Sequence, residues 1–125
     1  MNLLLDTHVL LWWLADDSSL RAGARDAIHE ASNTVYVSAA TAWEISIKRA
    51  AGKLDAPDDL ATALDVNQFQ PLAITIAHAT RAGELPRHHD DPFDRMLIAQ
   101  AQAEQLTLVT HDALFRSYEV PVIWS

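Results

Sequence analysis

Four acidic residues carry the chemical interest of this sequence: Asp6, Glu44, Asp94 and Asp112. Asp6 follows the short apolar run Asn2–Leu5, and Asp112 follows Leu106–Val109 across Thr110-His111. In an open parallel sheet such strand ends face the crevice where ligands bind. Asp94 stands three residues after Asp91 at the start of a helical pattern, flanking the face made by Phe93, Leu97 and Ala101, so its carboxylate lies beside apolar packing. Glu44 sits between Trp43 and Ile45 in a stretch, Ala39 to Ile47, that holds no other charge, which is unusual for a solvent face. Hard oxygen ligands of this kind suit Mg²⁺ or Mn²⁺, whereas Zn²⁺ favours sets of His and Cys. The chain has no Cys, and its six His are scattered without ligand spacing. The adjacent pair His88-His89 does not face one way on a helix and reads as loop.

Each acid also has a plainer explanation. An Asp at a helix start commonly caps it, which would account for Asp6, for Asp112 ahead of Ala113 to Phe115, and for Asp91-x-x-Asp94 as an acidic variant of the capping box. Glu44 precedes Lys48 by one turn, the favourable order for a helical ion pair. Asp91 is read first as a cap and second as an accessory to the site. Thr7, Ser38 and Thr110 lie beside acids and read as local hydrogen-bonding residues, with Thr110 kept as a further accessory.

These residues require a scaffold of alternating strands and helices. Asn2–Leu5 reads as a strand and Val9–Ala15 as a helix. A helix capped by Ser18 or Ser19 runs from Leu20 to Ala31, followed by a strand at Thr34–Val37. The next helix, Ala39–Ala51, is closed by Gly52, with Trp43 and Ile47 forming an apolar stripe. Pro57 opens a helix over Asp58–Val66, Phe69–Ile74 reads as a strand, and Ile76–Leu85 as a helix ending before Pro86. The helix capped by Asp91, with Pro92 at its first position, runs to Glu104 and turns Arg95 and Gln102 to water. A strand at Leu106–Val109, a turn around Phe115 and an edge strand at Val120–Ile123, marked by Pro121, complete the chain. Such alternation implies a mostly parallel sheet of about five strands covered on both faces.

A chain of 125 residues with 50% hydrophobic and 21% charged residues, 3 Gly and 5 Pro has the composition of one compact domain without low-complexity segments. The apolar start is broken by Asp6 and His8, lacks a basic leader and is too short to span a bilayer, so a cytoplasmic protein without membrane contact is expected. A formal charge of −8 excludes binding to nucleic acid through a general basic field. A polyanionic substrate would need bridging metal ions and a local basic patch. The dense apolar segment Leu10–Leu14 exceeds one buried helix face, so part of it is expected to meet another chain.

Three segments carry a family resemblance: LLLDTHVLLWWL at the start, VSAATAWEISIK followed by GKL in the middle, and HHDDPFDRMLIAQAQAEQLTLVTHD near the end. The sequence resembles the PIN-domain ribonucleases of the VapC toxin type. The resemblance implies a three-layer α/β/α sandwich and Mg²⁺- or Mn²⁺-dependent endonucleolytic cleavage of RNA, with Asp6, Glu44, Asp94 and Asp112 as catalytic and metal-binding acids. It also implies a small VapB-like antitoxin and a homodimer as partners. Lys48, Arg49, Lys53 and Arg87 are the basic groups expected to meet RNA. The alternatives are an inert PIN-like binding module and an RNA-processing nuclease without an antitoxin. A phosphoaspartate receiver would need paired acids after the first strand and a Lys near the last. A haloacid-dehalogenase-type phosphatase would need Asp-x-Asp where this chain has Asp6-Thr7-His8.

Overall fold

The computed structural model describes residues 1–125. Five strands, β1 (Asn2–Leu5), β2 (Thr34–Ser38), β3 (Gln70–Leu72), β4 (Thr107–Thr110) and β5 (Val122–Trp124), form one parallel sheet in the order β3-β2-β1-β4-β5. The helices are α1 (Thr7–Leu14), α2 (Ala22–His29), α3 (Ala39–Ala50), α4 (Leu60–Val66), α5 (Ile76–Glu84) and α6 (Pro92–Glu104), with a 3₁₀ turn at Ala113–Ser117. None is long and apolar enough to cross a membrane.

The apolar runs of β1 and β4 fill both layers because alternate side chains leave opposite faces of a strand. Leu3 and Leu5 join Val35, Val37, Val109, Leu10, Ile28, Ile45 and Leu64 in one core. Leu4 and Leu108 join Leu97, Ile98, Ala82 and Phe115 in the other. The three-layer expectation is thus met: α1 to α4 contribute to the first core and α5 and α6 to the second. Because β2 and β4 flank β1 on opposite sides, the strand order reverses at β1, and a crevice opens between the carboxyl ends of β1 and β4.

Several element boundaries differ from expectation for local reasons. Neither Ser18 nor Ser19 caps α2, which starts at Ala22 without a side-chain cap, while the Ser19 N–H turns back to Asp17 Oδ1 at 2.8 Å. Asp59, not Pro57, sets the start of α4. β3 is only three residues long and holds Pro71, as a sheet edge permits. Gly52 closes α3 with φ +71, while α6 ends on a left-handed Gln105. The Trp43–Ile47 stripe is largely exposed, at 62% and 46%, because α3 buries Ala40, Thr41, Glu44 and Ile45 instead. Arg95 does not point to water. Its guanidinium donates to the carbonyls of Ala82, Leu85, Pro86 and His89 at 2.8 to 3.2 Å and ties α6 to the end of α5.

Candidate active site

The crevice between β1 and β4 is where the acids gather. Asp6 follows β1, is 4% exposed and caps α1 by accepting from the Val9 N–H at 2.9 Å. Its other oxygen accepts from Thr110 Oγ1 at the end of β4. Thr110 Oγ1 in turn accepts from the Asp112 N–H at 3.1 Å, so one hydroxyl links the acids that follow the two central strands. Asp112 caps the 3₁₀ turn through the Leu114 N–H at 2.9 Å. Asp91 caps α6 through the N–H groups of Phe93 and Asp94 at 2.8 and 3.1 Å.

Glu44 is the buried acid of α3, 5% exposed. Thr7 Oγ1 donates to its Oε1 at 2.6 Å, and Lys48 Nζ lies 2.6 Å from its Oε2. The helical ion pair anticipated as its plain explanation is therefore present, yet the carboxylate end is buried and Lys48 only partly so. The Lys48 pKa rises, first from this hydrogen bond and further from the charges of Glu44, Asp91 and Asp94, which places all four groups within electrostatic reach.

Burial opposes ionisation here. It pushes the Asp6 carboxyl above its ordinary range despite the Thr110 and Val9 hydrogen bonds. Asp94 is pushed up to about 7, mostly by burial and then by Asp91, with smaller contributions in the same direction from Asp6 and Glu44. His89 acts oppositely on Asp94. Its Nε2 lies 2.9 Å from Asp94 Oδ2 and 3.2 Å from Asp112 Oδ2. Potential ligand atoms of His89, Asp94 and Asp112 all fall within 4.8 Å of one another.

The structure thus brings Asp94 and Asp112 into direct proximity, ties Asp6 to the latter through Thr110, and leaves Glu44 and Asp91 as charged neighbours. Sequence reasoning passed over His89 because it weighed the pair His88-His89 as ligands on a helix. The usable signal was a His two residues before an Asp cap, where a loop turns a ring toward the helix start. Of the four basic candidates, Lys48 is held by Glu44 and Arg49 pairs with Asp58, while Lys53 and Arg87 are exposed. An open groove of about 950 Å³ between α5, α6 and Ser117–Glu119 lies elsewhere and is lined by none of the four acids.

The family model described as PIN domain matches residues 3–121. The chain belongs to the PIN domain family. It is 30% identical over 123 residues to Ribonuclease VapC22 of Mycobacterium tuberculosis, covering 96% of this chain and 94% of that one. Its PIN fold is similar to that in VapBC2 from Rickettsia felis bound to a promoter DNA fragment, with TM-score 0.73, 17% identity and coverage of 100% and 99%. A DNA-bound VapBC from Salmonella typhimurium matches with TM-score 0.71, 21% identity and coverage of 98% and 97%.

The chemistry of the donor set fits a hard divalent cation. Asp6, Glu44, Asp94 and Asp112 offer carboxylate oxygens only, and two of their carboxyls are raised by burial with no Arg in contact to neutralise them.

Proposed function

We propose that this chain is a metal-dependent endoribonuclease acting in the cytoplasm as the toxin of a VapBC-type pair. The carrying observation is the convergence of Asp94 and Asp112, with Asp6 and Glu44 beside them, at the reversal of strand order in a PIN fold. Similarity to a protein named Ribonuclease VapC22 supports the substrate class. Structural neighbours described as VapBC, and one described as a toxin–antitoxin complex, support a small VapB-like partner.

In this reading Asp94 and Asp112 hold Mg²⁺ or Mn²⁺ with Asp6 and Glu44 completing the negative basin. Such an ion supplies an activated water and counter-charge for a phosphodiester. Thr110 fixes the rotamer of Asp6, and Thr7 with Lys48 fixes Glu44, so the carboxylates need little reorganisation when substrate arrives. None of these acids needs to attack phosphorus. Lys48 is partly exposed beside the acids, and Lys53 lies just beyond α3. Together with Arg49 and Arg87 they are the proposed phosphate contacts.

Leu10 of α1 is buried, whereas Leu11, Trp12, Trp13 and Leu14 pack against the core with part of each side chain still exposed. We assign that exposed part to a homodimer. The activity test strips the chain of metal, restores Mg²⁺ or Mn²⁺, and follows an end-labelled RNA pool. Internal cuts that need the ion and vanish in Asp94→Asn are expected. A parent that binds RNA without cutting it under either ion would establish the inert binding module instead.

A further inference from the structure

We propose that His89 is a positioning residue: its Nε2–H donates to Asp112 while the same nitrogen lies against Asp94, which sets the spacing of the two carboxylates, and the ring does not ligate the ion. This rests on the reading above that these two carboxylates hold a divalent cation.

His89 is fixed from every side. Its backbone N–H donates to Tyr118 Oη at 2.9 Å, and its carbonyl accepts from Arg95 at 3.2 Å. Its ring meets Phe115 edge-on, with centroids 6.1 Å apart at 81°. Only 11% of the side chain is exposed.

The ring nitrogens then have distinct tasks. Nδ1 accepts from the Asp91 N–H at 3.3 Å, so its lone pair is directed at a backbone donor and the ring hydrogen belongs on Nε2. That nitrogen faces Asp94 Oδ2 at 2.9 Å and Asp112 Oδ2 at 3.2 Å. A nitrogen carrying hydrogen has no lone pair for a cation. If Nε2 were a ligand, the hydrogen would have to move to Nδ1, where it would meet the Asp91 N–H donor to donor.

Asp94 starts α6 and Asp112 follows β4, and they belong to different elements. His89 is the side chain that touches both carboxylates. An imidazole N–H that donates to Asp112 and lies against Asp94 sets positive polarity between the two acids, offsets their repulsion and keeps one oxygen of each close to it. Partners that orient ligating groups from outside typically contribute 10–100-fold to metal affinity.

The test measures Mn²⁺ affinity of the metal-free chain by titration, with the electron spin-echo envelope of the bound ion as a second readout. His89→Leu should weaken Mn²⁺ binding about 10–100-fold, and His89→Gln, whose amide N–H reaches the same carboxylates, should recover most of the loss. The spin-echo signal of the loaded parent should show no directly bound ring nitrogen. Variants are compared where their metal-free circular dichroism matches the parent. If the Leu variant does not fold, parent against Gln and the nitrogen signal carry the decision. A Leu variant that binds like the parent, a Gln variant no better than Leu, or a nitrogen bound directly to the ion overturns the inference. A parent that binds no Mn²⁺ overturns it together with the proposed function. A parent that binds Mn²⁺ but leaves RNA intact overturns the ribonuclease reading alone, and the affinity series still decides the role of His89.

Discussion

Removing one negative charge from the site should stabilise the metal-free protein. Asp94 has its pKa raised from 3.8 to about 7, first by burial and then by Asp91. The folded chain therefore keeps this proton over a range where the unfolded chain has released it. As pH rises across that window, stability is lost, the reverse of the usual salt-bridged carboxylate. At about 1.4 kcal/mol per pKa unit, the full effect of this one group is about 4 kcal/mol above neutrality. The side chain is 21% exposed and interacts with Asp91, so solvent and neighbouring protons relieve part of that. A gain of about 2–4 kcal/mol is expected for Asp94→Asn at about pH 8.

An opposing effect must be weighed. Asp94 is the acidic residue in the first turn of α6, where a negative charge gains about 0.3–1 kcal/mol from the helix dipole. That is smaller than the burial penalty, and an Asn side chain keeps an oxygen beside His89 Nε2. Urea unfolding in the presence of a chelator at about pH 5 and about pH 8 separates the two effects, since Asp94 is mostly protonated at the lower pH and the variants should then agree within about 1 kcal/mol. Addition of Mn²⁺ at about 100 times its Kd should raise the parent by about 2.7 kcal/mol and the Asn variant by far less. A variant less stable than the parent at the higher pH, with its Mn²⁺ response intact, would refute the reasoning and return Asp94 to a helix-start role.

Further outcomes follow from the basic groups and the surface. RNA binding should weaken with salt at a log–log slope of about −1.5, as for about two phosphate contacts on a single strand, because Lys48 and Arg49 are already engaged by Glu44 and Asp58 and leave Lys53 and Arg87. A slope steeper than about −4 in a filter-binding series would place the RNA on a different surface. Replacing Arg95 by Leu should cost about 2 kcal/mol in a chemical melt, since four main-chain carbonyls lose a charged donor. An unchanged midpoint would show that this strap carries no stability. The isolated chain should sediment as a dimer and Trp12→Glu as a monomer. A parent that is monomeric at every concentration removes the α1 face from the assembly.

The sheet and the acids were legible because their signals are local. Short apolar runs ending in Asp6 and in Thr110-His111-Asp112 specify buried strands with polar ends, and Asp91-Pro92 specifies the start of α6. What escaped depends on which face an element presents. On α3, Trp43 and Ile47 looked like the buried stripe, yet adjacent helical residues point about 100° apart, so burying Glu44 and Ile45 turns Trp43 outward against the edge of Phe93 at 5.3 Å. Residue size suggested one face, and the Thr7–Glu44–Lys48 contacts chose another. His89 and Arg95 escaped for a related reason: their partners lie on α5, the 3₁₀ region and the α6 start, a meeting of segments that no single stretch encodes.

Capping and metal-holding, weighed as rivals in the sequence, are compatible in this site. Asp6 and Asp112 each commit one oxygen to a backbone N–H, and that commitment fixes the rotamer that aims the other oxygen into the crevice. A cap can therefore orient a carboxylate proposed to hold the ion. It also sets the carboxylate at the positive end of a helix or turn, which favours ionisation and offsets part of the burial penalty that raises Asp6. Asp94 makes no such bond to a backbone N–H: its own N–H is capped by Asp91, and its carboxylate is left to His89. Its carboxyl is pushed up to about 7 with no backbone N–H to lower it, which is why neutralising Asp94 separates an acid that merely starts a helix from one held ready for a cation.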